Sequence, residues 1–413
     1  MGLQVRKTHF DLLALVAQFF ECRRAFKSTH MIASVFVDVA WDYALWSVRA
    51  ALREVDRHAA QSLTNFIDRT QSNRNEETTM QNATPLVSRR NLLTGIVAAP
   101  TLAAAAGATL AHAEDIDAAA ARAKAALKSA KGTRLVLLGT GSGPIPGLAR
   151  RMASNLMVHN EAAYVLDCGL GVTDQYARTG IPFSALRSIF ITHHHPDHNI
   201  EYGPLLVIGW TSGMRQAVRA YGPPPLMQMT ADYFRSAKPT IDFWAEDFRI
   251  PPLQMIEVQE ISNSGPVMQD NNVKVTSALV QHPPVTPAFA YRFDFPDRSI
   301  AFSGDTVALE AVAQMAKGAD VLVHEAMDFP AIEVFVRQQI AAGAAGSVEA
   351  AMAHMRADHT SAEDAGRIAQ EAGVKTLVLS HIGPPTVSDA AWQAAAAKYF
   401  KGEIIVGHDL AVI

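Results

Sequence analysis

Residues 192–198 read Thr192-His193-His194-His195-Pro196-Asp197-His198, which sets four of the chain's 15 histidines beside an aspartate. The run Ser188-Ile189-Phe190-Ile191 feeds directly into them. Its β-branched and aromatic content predicts a strand. Side chains alternate across a strand, so at its end His193 and His195 point to one side and His194 to the other. Pro196 turns the chain and can bring Asp197 and His198 back toward the same centre. Imidazole nitrogens and a carboxylate together suit zinc or a similar transition metal. One ion needs three or four donors, so a second ion would draw on donors from elsewhere in the chain.

Three such donors stand at the ends of other predicted strands. His282 follows Val273–Val280. Asp305 lies in Phe302-Ser303-Gly304-Asp305-Thr306, after Ser299–Phe302. His381 follows Thr376-Leu377-Val378-Leu379-Ser380. Each alone would read as a structural residue. As a series after the histidine-rich heptad they support one another.

Around these points the chain reads as short strands with interleaved helices. Further strands are predicted at Arg134–Leu138, Leu156–Val158, Tyr164–Leu166, Ala288–Phe293, Val321–Val323 and Ile404–Val406. An Ala-rich helix is predicted over 115–131. Another starts at Ser361, with Glu363 and Asp364 in its first turn, and stops at Gly373; a third runs from Ser388 to about Tyr399. Strands in hairpin succession alongside strands alternating with helices predict a mixed-sheet sandwich covered by helices. Gly139-Thr140-Gly141-Ser142-Gly143 lacks the G-x-x-x-x-G-K-[ST] pattern of a phosphate loop and reads as a tight turn. Residues 204–252 carry Trp210, Tyr221, Tyr233, Phe234, Phe243, Trp244, Phe248 and seven prolines. They are expected to cover a pocket or to pack as an irregular subdomain.

Bulk composition narrows the class. The chain has 413 residues, 49% hydrophobic and 18% charged, with a formal net charge of −4. That balance supports a large core and argues against a general basic nucleic-acid surface. Two cysteines, Cys22 and Cys168, cannot make a disulfide framework.

The ordered motifs resemble the metallo-β-lactamase superfamily, over about residues 133–412. They run H-x-H-x-D-H at 193–198, then His282, Gly304-Asp305 and His381, with Asp167-Cys168-Gly169 as the early Asp-Gly turn. Leu138-Gly139-Thr140-Gly141, Tyr221-Gly222-Pro223-Pro224, His282-Pro283, Tyr291-Arg292, Ser303-Gly304-Asp305-Thr306, Val323-His324-Glu325-Ala326, His359-Thr360 and Leu379-Ser380-His381 are similar to its tRNase Z and arylsulfatase-like branch. Met327 stands where that branch has a threonine. The resemblance implies an α+β fold, a four-layer αβ/βα sandwich with metal at the sheet edge. It implies two Zn²⁺, with Mn²⁺ or Fe as other occupants of such sites. His193, His195 and His282 would hold one ion, Asp197, His198 and His381 the other, with Asp305 bridging and Asp167 in support. A hydroxide between the ions is the implied nucleophile, which Asp197 would orient or deprotonate. His359 would be the general acid, its ring held by Glu325, and His324 would sit behind the centre.

For substrate, the expectation is a sulfate or phosphate ester of a small molecule. Family members that process tRNA 3′ ends carry an extended arm, in several of them after the histidine matching His282. Only 22 residues separate His282 from Asp305 here, and residues 204–252 are neither Lys-rich nor Gly-rich. That argues against nucleic acid. The alternatives are tRNA 3′-end processing and lactone or β-lactam hydrolysis. Oligomeric state is left open, although dimers are common in the family.

Ser88-Arg89-Arg90-Asn91-Leu92-Leu93, a weakly apolar run to Leu110 and Ala111-His112-Ala113 resemble a twin-arginine export signal with its cleavage site. Met80 would give that signal an ordinary start. Residues 1–79 are therefore expected to be an over-extended N-terminus, 80–113 the signal peptide and 114–413 the hydrolase domain. The expected location is periplasmic or secreted, with the twin-arginine machinery as partner. N-terminal sequencing of the native protein is expected to find nothing before Met80; an earlier first residue would refute the start site.

Overall fold

A computed structural model describes residues 116–129, 131–143, 149–249, 256–343 and 346–413, all within one compact unit spanning 96–413. The expected extension (1–79) and export signal (80–113) lie outside the described residues, as does Cys22. Cys168 is buried and unbridged. Among the described residues no helix is long and apolar enough to cross a membrane.

Two seven-stranded mixed sheets face each other. The first contains β1 (Arg134–Gly139), β2 (Ser154–His159), β3 (Ala162–Leu166), β4 (Leu186–Phe190), β5 (Arg219–Gly222), β6 (Glu257–Glu260) and β14 (Ala411–Val412). Its spatial order is β14-β1-β2-β3-β4-β5-β6, antiparallel up to β3 and parallel from β3 to β6. The second contains β7 (Gly265–Gln269), β8 (Lys274–His282), β9 (Val285–Asp294), β10 (Ser299–Phe302), β11 (Val321–Met327), β12 (Thr376–Gly383) and β13 (Glu403–Val406). Its order is β13-β12-β11-β10-β9-β8-β7, parallel from β13 to β10 and antiparallel beyond.

The apolar strand runs follow from burial on both faces. In β1, Leu135 and Leu137 enter the core between the sheets, where they join Tyr164, Phe190, Tyr291, Phe293 and Phe302. Val136 and Leu138 point outward and pack under Val172, Tyr176, Leu205 and Trp210. The second sheet does the same, with Leu322 and Leu377 against Val312, Ile368 and Trp392. The result is the four-layer helix–sheet–sheet–helix sandwich expected from the sequence.

The helices are α1 (116–129), α2 (Val172–Thr179), α3 (Pro196–Asn199), α4 (Tyr202–Thr211), α5 (Leu226–Asp247), α6 (Glu310–Met315), α7 (Phe329–Ala341), α8 (Val348–Asp358), α9 (Ala362–Ala372) and α10 (Asp389–Ala396). The cap at Ser361 accepts a hydrogen bond from the Asp364 N–H, and Gly373 ends α9 at φ 66°.

Of residues 204–252, the described ones, 204–249, set their aromatic side chains in several different surroundings. Trp210 and Tyr221 belong to the cores beneath and between the sheets. α5 is a 22-residue helix that leaves Phe243 exposed, with Phe248 exposed just beyond its end. Trp244 lies against Phe248, ring centroids 4.2 Å apart. The many prolines suggested irregular chain, yet Pro223, Pro224 and Pro225 stand just before the first turn of α5 and only Pro239 lies inside it.

Candidate metal centre

Strand ends deliver the titratable side chains. β4 stops at Phe190, and the heptad follows as a loop leading into the single turn of α3, with Pro196 at its first position. His282 is the last residue of β8, and Asp305 follows β10. His381 sits inside β12 as an extra residue: Glu325 pairs with Ser380 and Ala326 with Ile382, so His381 has no partner in the ladder. It adopts φ 47°, and Asp167 adopts φ 62°. Such backbone is sparsely populated for non-glycine residues, and bulges of this kind re-aim a side chain.

Two donor groups converge. In the first, the Nε2 atoms of His193 and His282 lie 3.1 Å and 3.0 Å from His195 Nδ1. In the second, Asp305 Oδ2 lies 3.2 Å from the Nε2 of both His198 and His381. Asp197 Oδ2 is 3.3 Å from His381 Nε2. Asp305 Oδ2 is also 3.9 Å from the Nε2 atoms of His193 and His282, so it stands between the groups.

The chemistry of this set fits divalent ions. Burial lowers the pKa of His282 to about 4, and burial with the neighbouring His198 pushes His193 down as well. Both rings are therefore neutral at pH 7 and offer lone pairs. Burial alone would keep Asp305 protonated, but the charges of His198 and His381 hold it well below the usual carboxylate range. His198 Nε2 and Asp305 Oδ1 are buried without a hydrogen-bond partner. Orphaned buried polar atoms are costly, and here a cation would satisfy them.

A second layer orients these rings. Asp167 Oδ2 accepts from His198 Nδ1 at 2.8 Å, and Asp167 Oδ1 accepts the Thr192 N–H at 2.8 Å. His193 Nδ1 meets Thr192 Oγ1 at 3.0 Å. His282 Nδ1 donates to the Asp358 carbonyl at 3.0 Å. Outer partners of this kind fix ring orientation and raise ligand basicity. Thr192 and the Asp358 carbonyl carry no motif of their own, so they were not singled out from the sequence.

His359 caps the C-terminus of α8 in extended conformation. Its Nδ1 donates to Glu325 Oε2 at 2.8 Å, and Glu325 Oε1 accepts the Thr306 N–H at 2.6 Å. The Glu325 carboxylate thus joins His359 to the segment that carries Asp305. Burial pulls the His359 pKa down, but the adjacent Glu325 charge and hydrogen bond outweigh it and lift the value to about 9. His359 comes near enough to His282 and Asp305 to count as a donor itself. Its bond to Glu325 and its raised pKa suit proton donation.

His194 points away, as alternation requires, but it is not idle. Its Nε2 donates to the Pro223 carbonyl at 2.8 Å and its Nδ1 meets Asn199 Nδ2 at 3.0 Å. It ties the heptad to the turn before α5. His324 faces the helix layer and donates from Nδ1 to the Glu325 carbonyl at 2.9 Å.

Residues 163–382 match the family described as a beta-lactamase superfamily domain. The chain belongs to the metallo-β-lactamase superfamily. Ribonuclease Z of Mycobacterium bovis (strain BCG / Pasteur 1173P2) is 32% identical over 286 residues, which are 67% of this chain and 96% of that protein. Ribonuclease Z of Mycobacterium avium (strain 104) is 31% identical over 284 residues, 67% of this chain and 96% of that one. Among solved structures, the metallo-beta-lactamase fold protein YhfI from Bacillus subtilis matches with a TM-score of 0.51 at 18% identity, over 68% of this chain and 98% of that one. Human tRNase Z, short form, matches with a TM-score of 0.50 at 20% identity over the same shares. These two likenesses show the fold. This superfamily member is a metal-dependent hydrolase acting on ester bonds.

The substrate expectation is corrected by these relatives. Nucleic acid was set aside, and a small-molecule ester preferred, because the segment after His282 is too short for an arm. That segment is indeed a tight turn and two strands, β9 and β10. Yet proteins named Ribonuclease Z align with this chain over 96% of their own length, so a missing insertion there does not separate it from them. The partner expectation, a small-molecule ester with nucleic acid argued against, is withdrawn. The proposed tie to export machinery rests on residues outside the described ones.

Proposed function

We propose that this protein is an RNA phosphodiesterase of the ribonuclease Z type, cleaving a precursor such as a tRNA with a 3′ trailer. The observation that carries this is the identity of about one-third with proteins of that name along nearly their whole length. The site is consistent with it. His193, His195 and His282 would hold one ion, Asp197, His198 and His381 a second, and Asp305 would touch both; zinc is the ion we propose. Ions there would lower the pKa of water toward neutrality and offset charge on the phosphoryl oxygens.

The chain's own residues do the rest. Asp197 lies at the centre with an ionised carboxylate, held below the usual range, against the pull of burial, by His198 and His381. It orients the attacking water and takes its proton. The water oxygen forms the new P–O bond as the bond to the leaving ribose oxygen breaks. His359, kept protonated by Glu325, gives its proton to that leaving oxygen, so no free alkoxide is released.

Metal-loaded protein should be assayed against a precursor tRNA carrying a 3′ trailer, an aryl phosphodiester, an aryl sulfate, a lactone and a β-lactam. Endonucleolytic cleavage of the RNA with the highest kcat/KM is the expected result. An uncleaved RNA, with turnover of the sulfate, lactone or β-lactam, would overturn the proposal.

A further inference from the structure

The glycine run after β1 is more than a turn. The Gly143 N–H donates to Asp197 Oδ2 at 2.8 Å. A methyl group on Gly143 would lie 2.3 Å from Asp197 Cβ, 2.5 Å from its Cγ and 2.6 Å from its Oδ2. So close an approach leaves room only for glycine. Other atoms of the same loop grip β12 beside His381. The Ile382 N–H donates to the Thr140 carbonyl at 2.8 Å, and the Ser142 N–H donates to the Ile382 carbonyl at 3.3 Å. The loop is itself fixed to the body of the domain. Asp409 Oδ1 accepts from the Thr140 N–H at 3.0 Å and from Thr140 Oγ1 at 2.7 Å, and the Gly141 N–H donates to the Arg151 carbonyl at 2.8 Å.

One short loop therefore holds both sides of the second donor group. Asp197 follows β4 in the first sheet, while His381 belongs to β12 in the second. Their ligand atoms must stay within a few ångströms although the strands that carry them belong to different sheets. We propose that residues 140–143 are the positioning element of the Asp197–His198–Asp305–His381 group, with the Gly143 amide setting the direction of the Asp197 carboxylate. The first group, His193, His195 and His282, receives no hydrogen bond from this loop among the described residues. Losing the loop's contact should therefore weaken one ion and spare the other, whichever ester is the substrate.

Gly143→Ala is the test, with Zn²⁺ binding read by competition against a chromogenic chelator. The wild type should show two affinity classes. The variant should keep one and weaken the other by about 10- to 100-fold, the usual effect of a lost outer partner of a metal ligand. A mere stability role would shift both classes alike. If Gly143→Ala does not fold, Thr140→Val, which removes the hydroxyl's bond to Asp409 and leaves the amide's without adding volume, carries the test with the same outcomes. Two unchanged classes, two equally weakened classes, or a single class in the wild type would each overturn the proposal.

Discussion

Asp305→Ala is expected to lose metal and hydrolysis together. Its Oδ2 lies 3.2 Å from two ligand nitrogens of one group and 3.9 Å from two of the other, so it is placed to serve both. It is also buried, 2% exposed, and no water can replace its charge cheaply. Removing it leaves five histidines and Asp197 facing one cavity. The affinity loss should exceed the about 100-fold ascribed to outer partners. Metal content after dialysis, measured alongside kcat, checks this. A variant that retained wild-type metal content would show that Asp305 does not bridge. The contrast with Gly143→Ala is informative: one change should empty both groups and the other should weaken one.

His359→Ala should behave in the opposite way, keeping its metal and losing turnover. General acids contribute about 10²- to 10⁴-fold, and the fall should be in kcat, with KM little changed. Glu325→Gln should go in the same direction by a smaller factor, since the ring remains but loses the carboxylate that lifts its pKa to about 9. Full turnover in His359→Ala would remove the acid role. A fall in metal content would make His359 a ligand instead, a choice its proximity to His282 and Asp305 leaves to experiment.

Much of the fold was legible because strands buried on both faces read as unbroken apolar runs. Arg134–Leu138 and Thr376–Leu379 lie within the observed β1 and β12. β5, β6, β7 and β14 were missed. They are two to five residues long, too short to show a period. α5 was missed because prolines were weighed as breakers, although most of them lie outside it. Among the site residues, the ligands stood out because histidine and aspartate at strand ends are chemically conspicuous. Thr192, Gly143 and the Asp358 carbonyl were silent, because backbone groups and a lone hydroxyl gain meaning only from what they touch.

The substrate expectation failed for a different reason. It rested on a segment that is not there, and a short loop after His282 says nothing about contacts made elsewhere.

The heptad at 192–198 thus determined by itself that metal chemistry belongs to this chain, since spacing of two and a turn at Pro196 are local properties of the backbone. Which donors share an ion was not local. Asp197 and His381 are far apart in sequence and meet only because two sheets pack face to face. The left-handed φ of His381 and the amide of Gly143 aim them at one point. Side-chain chemistry is written in the order of residues; the distances that turn it into a site exist only after the sheets have closed.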